Sequence, residues 1–326
     1  MKTIQNITVC FLISTCVFGK PKVIATASMW ADMCAVIGSE RIDLDLIVPI
    51  GSDPHLYEPT PADLVKVGNA DLILINGLTF EGWLGKLIQN SGTKAKVVLI
   101  TEGIQAIESK DFHNATDPHA WMDVENGIIY ASNIAKALSE LVPLYADEFA
   151  YNFGVYKKEL EELHRFVQEK INAIPKERRV LITSHDAFHY FGKKYGIQLE
   201  PLQGTSTEAD VQSATLVHIH KIIKDQGVSA IFVESTINPK MMQQLRAENK
   251  IEIGGKLYAD SLGDPSSPAS TYIKMLKHNA TVISEALSKS VEDSQTKKKS
   301  TGSLIFLWIT LFYVFAFGLI YFINKN

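Results

Sequence analysis

Cysteine is scarce in this chain: only Cys10, Cys16 and Cys34 occur in 326 residues. Three are too few for a disulfide framework, and two of them fall in an N-terminal segment that reads as removable. Cys34 is then a lone thiol, expected as a small core residue. An excess of either charge is also missing. The 32 Lys and Arg against 36 Asp and Glu leave no cationic surplus to neutralise phosphates, so nucleic acid is not an expected partner. No His-Glu-x-x-His is present. What the chain does have is 46% apolar and 21% charged residues, proportions that exclude a disordered or low-complexity chain. Its length, at roughly 150 residues per domain, points to two packed units.

Long uncharged runs occur at the two ends. Lys2 is followed by Ile7 to Phe18, too short to cross a bilayer but suited to the core of a signal peptide. Val17 and Gly19 meet the small-residue rule for cleavage before Lys20, so residues 1–19 are read as the signal peptide. The alternative is processing at Ile13-Ser14-Thr15-Cys16, which reads as a lipobox with lipid on Cys16. At the other end, Leu304 to Ile323 carries no charge. At 1.5 Å per residue it would span about 30 Å, the thickness of the hydrocarbon core, and is read as a transmembrane helix. Lys297, Lys298 and Lys299 precede it and only Lys325 follows, so positive-inside alone would keep the body in the cytoplasm. The signal peptide directs the reverse, and long domains translocate largely regardless of charge. The expectation is an exported body anchored to the outer, periplasmic face of the cytoplasmic membrane, with residues 289–303 as a polar, Lys-rich tether.

From Lys22 onward, short β-branched runs alternate with amphipathic stretches, the pattern of parallel sheets covered by helices. Strands are expected at Val23–Thr26, Leu44–Val48, Leu72–Ile75 and Val97–Ile100, with helices at Met29–Ile37, Pro61–Gly68, Glu81–Gln89 and Val124–Leu141. After Pro175 the alternation resumes. Strands are expected at Val180–Thr183, Leu199–Leu202, Ala230–Val233 and Lys256–Tyr258, and helices at Asp186–Tyr195, Ser213–Gln226, Pro239–Glu248 and Ala269–Leu287. Between the two series, apolar residues at 145, 149, 156, 160, 163, 167 and 171 recur at helical spacing and mark a single long helix ended by Pro175. The fold class is therefore α/β: a lobe over 20–144, a linking helix over 145–174 and a similar lobe over 175–288.

Nine histidines are present. His164, His218 and His278 fall in expected helices as solvated or core side chains, and His218 and His220, two apart, point to different sides. His113 lies in a loop. His55 and His119 differ, because each follows Asp-Pro directly, at Asp53-Pro54-His55 and Asp117-Pro118-His119. Proline fixes φ and biases its predecessor to extended geometry, so each His sits on a rigid turn. The second series offers His185 and Asp260 just beyond two strand ends, where α/β sheets bind ligands. Three imidazoles and one carboxylate make a plausible four-residue site for a divalent transition ion. His189 rivals His185, and Asp264 and Asp186 rival Asp260, with Asp186 expected to cap the helix that starts there.

Several ordered stretches resemble the metal-binding solute-binding proteins of ABC importers, the TroA-like family. They are Asp53-Pro54-His55-Leu56-Tyr57-Glu58-Pro59, Asp117-Pro118-His119-Ala120-Trp121-Met122-Asp123, and Thr183-Ser184-His185-Asp186-Ala187-Phe188 with Tyr190-Phe191. Thr205-Ser206-Thr207-Glu208-Ala209, Phe232-Val233-Glu234-Ser235 and Tyr258-Ala259-Asp260-Ser261-Leu262-Gly263 complete the set. The resemblance covers the body from about Lys22 to Leu287. It implies metal ligands at His55, His119, His185 and Asp260, and two lobes bridged by one long helix. It departs from the family in its sparse histidine before the second ligand, where Glu102 to Thr116 holds only His113, and in the C-terminal span.

The function so implied is that of a receptor, not an enzyme, which binds Mn²⁺ or Zn²⁺, with a lean to Mn²⁺, and hands it to a membrane permease. Its expected partners are that permease and, through the C-terminal helix, the membrane; the body is expected to be a monomer. A zinc-dependent hydrolase is the alternative enzyme reading and a metal-containing surface adhesion protein the alternative binding reading. The first would need an open metal position beside a general base.

Overall fold

The computed structural model describes residues 19–108, 116–208 and 210–289. The signal segment, His113 and the Leu304–Ile323 span lie outside the described residues. Among the described residues no helix is long and apolar enough to cross a membrane.

The first lobe is a four-stranded parallel sheet in the order β2-β1-β3-β4, with β1 at Lys22–Ala25, β2 at Asp43–Leu46, β3 at Leu72–Ile75 and β4 at Lys96–Leu99. The central strands β1, after its exposed Lys22, and β3 are apolar runs because helices cover both of their faces. The edges β2 and β4 are far more exposed. Four helices follow in register with the alternation: α1 Ser28–Gly38, α2 Pro61–Gly68, α3 Leu84–Ser91 and α4 Val124–Leu141. The start of α2 is set locally. The Thr60 hydroxyl accepts from the Asp63 amide, the Asp63 carboxylate accepts from the Thr60 amide, and Pro61 occupies the first helical position, a capping box with a pre-set φ.

α5, Ala146–Asn172, is the expected long helix, about 40 Å in length. It buries Phe149, Tyr156, Leu160, Leu163, Val167 and Ile171. At about 1.5–3 kcal/mol each, that stripe contributes on the order of 10–15 kcal/mol before conformational entropy is subtracted.

The second lobe has the strands β5 Val180–His185, β6 Gln198–Gln203, β7 Ala230–Glu234 and β8 Glu252–Leu257. β5 pairs in parallel with β6, β7 with β8, and β5 lies beside β7. These are two two-stranded sheets set side by side in the sequence 6-5-7-8, which parallels the 2-1-3-4 order of the first lobe without a ladder between β5 and β7. The helices are α6 His189–Tyr195, α7 Ser213–Gln226, α8 Lys240–Asn249 and α9 Tyr272–Leu287. Two expectations are corrected here. α6 starts at His189 with no side-chain cap, so Asp186, buried and three residues upstream, does not cap it. β8 starts four residues before the expected Lys256. The pairing with β7 is bulged where Ile231 faces Ile253 and Phe232 faces Gly255. A Cβ on the intervening Gly254 would sit 2.7 Å from the Phe232 ring. A glycine pair chosen for space hides the strand's apolar pattern.

Each lobe has a private apolar cluster. One gathers Ile24, Ile47, Val67, Ile73, Leu84 and Leu87, the other Val180, Ile182, Leu202, Ile219, Ile231 and Leu245. The largest cluster belongs to both lobes. It runs from Trp30, Met33 and Cys34 on α1, through Trp121, Tyr130 and the α5 stripe, to Phe188, Phe191, Phe232, Tyr272 and Ile283. Cys34 is buried within it, and burial drives its thiol pKa up, so it is an inert core residue.

Candidate metal centre

The end of β5 and the segments that follow β2, β4 and β8 meet at one place between the lobes, beyond the carboxyl ends of these strands. Every expected ligand lies there. His55 follows β2, His119 follows β4, His185 is the last residue of β5 and Asp260 follows β8 by three residues. Their donor atoms all lie within 4.8 Å of one another. His55 Nε2 is 3.3 Å from His119 Nε2 and 3.6 Å from Asp260 Oδ2. Asp260 Oδ1 is 3.4 Å from His119 Nε2, and Oδ2 is 3.1 Å from His185 Nε2. The side chain of His55 is 5% exposed and the other three are closed to solvent.

Both oxygens of Asp260 are buried without a hydrogen-bond donor. A carboxylate in that state is costly unless a cation balances it. The three imidazoles supply part of that balance, since they hold the Asp260 carboxyl well below the usual range against the opposing effect of burial. Burial drives His55 down to about 3, so at neutral pH it is an uncharged donor. Burial opposes protonation of His185 as well, but Glu234 and Asp260 outweigh it and raise its pKa well above the ordinary value.

Two carboxylates behind the histidines had no role assigned from sequence. His119 Nδ1 donates to Asp117 Oδ1 at 2.7 Å, and the His119 amide donates to the same oxygen at 2.9 Å. With Nδ1 protonated, Nε2 presents its lone pair to the centre. On the other side, Glu234 at the end of β7 accepts from the His185 amide through Oε1 at 2.9 Å, and its Oε2 lies 2.7 Å from His185 Nδ1. Both residues stood within stretches that carry the family resemblance. The wall beside His55 and His119 is aromatic: Phe80 meets the His55 ring edge-on at 5.1 Å, and Trp121 meets the His119 ring at 5.3 Å. Trp121 Nε1 donates across the lobes to the Ala259 carbonyl at 2.9 Å, next to Asp260.

The rivals lie elsewhere. Asp264 is exposed and binds Ser266. His218 pairs with Glu200, His220 with Asn249 and Glu248, and His278 donates to the Lys256 carbonyl. His164 contacts Tyr195. His189 approaches Asp117, not the centre. Among the described residues, no group of three or more potential ligands other than His55, His119, His185 and Asp260 comes together.

Residues 23–286 match the family described as ZnuA, zinc-uptake complex component A, periplasmic. The chain is 36% identical over 278 residues to the manganese ABC transporter substrate-binding lipoprotein PsaA of Streptococcus mitis, a match over 83% of this chain and 90% of that protein. It is 38% identical over 281 residues to the iron ABC transporter substrate-binding lipoprotein MtsA of Streptococcus pyogenes serotype M1, with the same two coverages. The fold superposes on the periplasmic zinc-binding protein TroA of Treponema pallidum with a TM-score of 0.79 at 34% identity, covering 83% of this chain and all of that one.

Proposed function

The chain belongs to the ZnuA family of metal receptors of ABC importers, and from that premise we propose that His55, His119, His185 and Asp260 hold one divalent ion as cargo for the permease. It is a receptor and not an enzyme, and it works outside the cytoplasm, as its lipoprotein relatives do. The observation that carries the ligand assignment is the pair of donor-free, buried Asp260 oxygens facing three imidazoles. A bound ion would satisfy all of these acceptors at once.

The ion is Mn²⁺ in this reading, ahead of Zn²⁺ and Fe²⁺. Three imidazoles suit zinc, but tetrahedral zinc uses four donor atoms. Here both Asp260 oxygens face inward, which offers five, and a larger coordination number favours manganese despite its place at the weak end of the affinity series. Relatives named for manganese, iron and zinc lie at similar distance. Metal analysis of the protein taken from native membranes tests this reading: manganese at one per chain supports it, and zinc under manganese-replete growth overturns it.

The body, residues 20–288, is a monomer of two lobes joined by α5. Its anchor is the Leu304–Ile323 span, joined to the body by a tether of about fourteen residues. An anchor so close in sequence to the body would keep capture beside the permease. External protease on intact spheroplasts is expected to release the body. Protection until the membrane is permeabilised would overturn the orientation.

A further inference from the structure

The carboxylate that orients His119 is held from the opposite lobe. Asp117 belongs to the first lobe, yet its backbone carbonyl accepts the Tyr190 hydroxyl at 3.1 Å, and the same hydroxyl accepts the Ile107 amide at 3.0 Å. Tyr190 is on the first turn of α6 in the second lobe and is 4% exposed. Its neighbour His189 places Nδ1 3.8 Å from Asp117 Oδ2. Neither of those two atoms has a hydrogen-bond partner, and both are buried. Asp117 Oδ1 is already committed to the amide and ring of His119.

We propose that His189 and Tyr190 are positioning residues that fix Asp117, and through it the His119 ring, from across the lobe boundary. Tyr190 pins the backbone of the Asp-Pro-His turn, and His189 supplies a donor to the free oxygen of Asp117 once the lobes approach by a few tenths of an ångström. An amide or imidazole N–H at that place does the same work, because the interaction needs a donor and not a charge. Orientation of a ligand in one lobe thereby depends on contact with the other, so the ligand set is complete only when the lobes are together. Outer groups of this kind typically change metal affinity by about 10–100-fold.

The inference rests on the ligand assignment above, and the experiment separates the two. Full-length protein in detergent is titrated with Mn²⁺ and Zn²⁺ against a chelator of known affinity, as wild type and as His189→Ala, His189→Gln, Tyr190→Phe, Asp117→Asn, His119→Ala and the double variants of the first and third with Asp117→Asn. His189→Ala and Tyr190→Phe are each expected to weaken binding by about tenfold, with His189→Gln recovering most of the loss. The His189→Ala effect should largely vanish in the Asp117→Asn background, since the carboxylate oxygen it acts on is then gone, whereas the Tyr190→Phe loss should persist there, because that variant keeps the backbone carbonyl that Tyr190 holds. The Co²⁺ absorption spectrum should shift in His189→Ala and return in His189→Gln. If His119→Ala binds like wild type, the ligand assignment falls. If His119→Ala is crippled but His189→Ala and Tyr190→Phe bind like wild type, or the His189→Ala loss adds fully to that of Asp117→Asn, the ligand assignment stands and the positioning role falls.

Discussion

Two copies of Asp-Pro-His begin alike and end differently. In each, the aspartate accepts the amide of the histidine two residues on, at 2.9 Å in both Asp53-Pro54-His55 and Asp117-Pro118-His119. This is an Asx turn made rigid by the intervening proline. Asp117 then also takes the ring of His119, and that histidine is sealed from solvent. Asp53 instead reaches across the mouth and accepts the Thr207 hydroxyl of the other lobe at 2.7 Å. The same loop donates the Gly51 amide to Ser261 Oγ at 2.7 Å. Among the described residues no carboxylate is bonded to His55 Nδ1, and the ring keeps a small exposed area next in sequence to the exposed Leu56. One motif has made a fixed interior imidazole and the other an outer imidazole on a loop tied across the lobes. What differs is where the carboxylate's further bond goes: Asp117 Oδ1 also takes the ring of its own histidine, whereas Asp53 Oδ2 takes a hydroxyl that tertiary packing brings from the other lobe.

The contrast is broken most directly by removing the rings. His119→Ala should weaken ion binding by orders of magnitude and His55→Ala by a smaller factor, while His218→Ala, an exposed residue paired with Glu200, should leave it unchanged in chelator competition. Equal losses at 119 and 55 would erase the distinction between inner and outer ligand. Next in size, Asp117→Asn should cost about 10–100-fold in affinity, because it removes the charge that fixes the His119 tautomer. Asp53→Asn should cost only a few-fold and act on exchange rate. Stopped-flow chelation beside equilibrium titration separates the two effects.

Acid distinguishes the histidines further. His55, pushed down to about 3 by burial, holds no proton at neutral pH that an ion must displace. Because its folded pKa lies below the unfolded value, it withdraws stability from the ion-free protein as pH falls from about 6.5 toward 3. His185 has the opposite sign. Glu234 and Asp260, working against burial, raise its pKa, so its contribution is fully present below about pH 6.5 and is lost as pH rises through the folded pKa. An ion must displace that proton, so affinity should fall about tenfold per pH unit on acidification below the raised pKa. Dissociation constants measured from pH 5.5 to 8 check this, and a flat profile contradicts it. The smallest expected effect belongs to Thr207→Val, which removes one cross-lobe hydrogen bond and no ligand. Ion release should speed by a few-fold with the Co²⁺ spectrum unchanged. An altered spectrum would mean that Thr207 shapes the ligand set and not only the tie across the lobes.

Much of this molecule was legible in its sequence, where the controlling interactions are local. α2, α4 and α7 begin and end at the expected residues, because caps, a proline at the first turn and apolar spacing are short-range signals. The α5 stripe at 149, 156, 160, 163, 167 and 171 is buried as its spacing required. The four-residue constellation could be named because strand ends and Asp-Pro turns mark where a parallel α/β sheet presents its ligands. Errors arose where a distant partner decides. Asp186 has the chemistry of a cap, yet it is drawn into the interior while the helix begins three residues later. The glycines of β8 make sense only against their distant neighbours, Gly254 against the Phe232 ring and Gly255 against Val282. Glu234 and Asp117 stood in recognisable stretches, but a carboxylate becomes the orienting group of an imidazole only when folding sets it 2.7 Å from the ring.

The sequence by itself determined the α/β alternation, the doubled lobe and the long connecting helix, since each follows from periodicity, turn stereochemistry and residue type within a few residues, and it carried the motifs whose resemblance pointed to His55, His119, His185 and Asp260. Only the tertiary structure decided that the lobes share one apolar core, that Thr207 and Tyr190 of one lobe grip the two Asp-Pro-His turns of the other, and that one turn faces inward and its twin faces the mouth. The two grips join residues 73 and 154 positions apart, and nothing in local sequence records a contact whose two halves meet only after both lobes have formed.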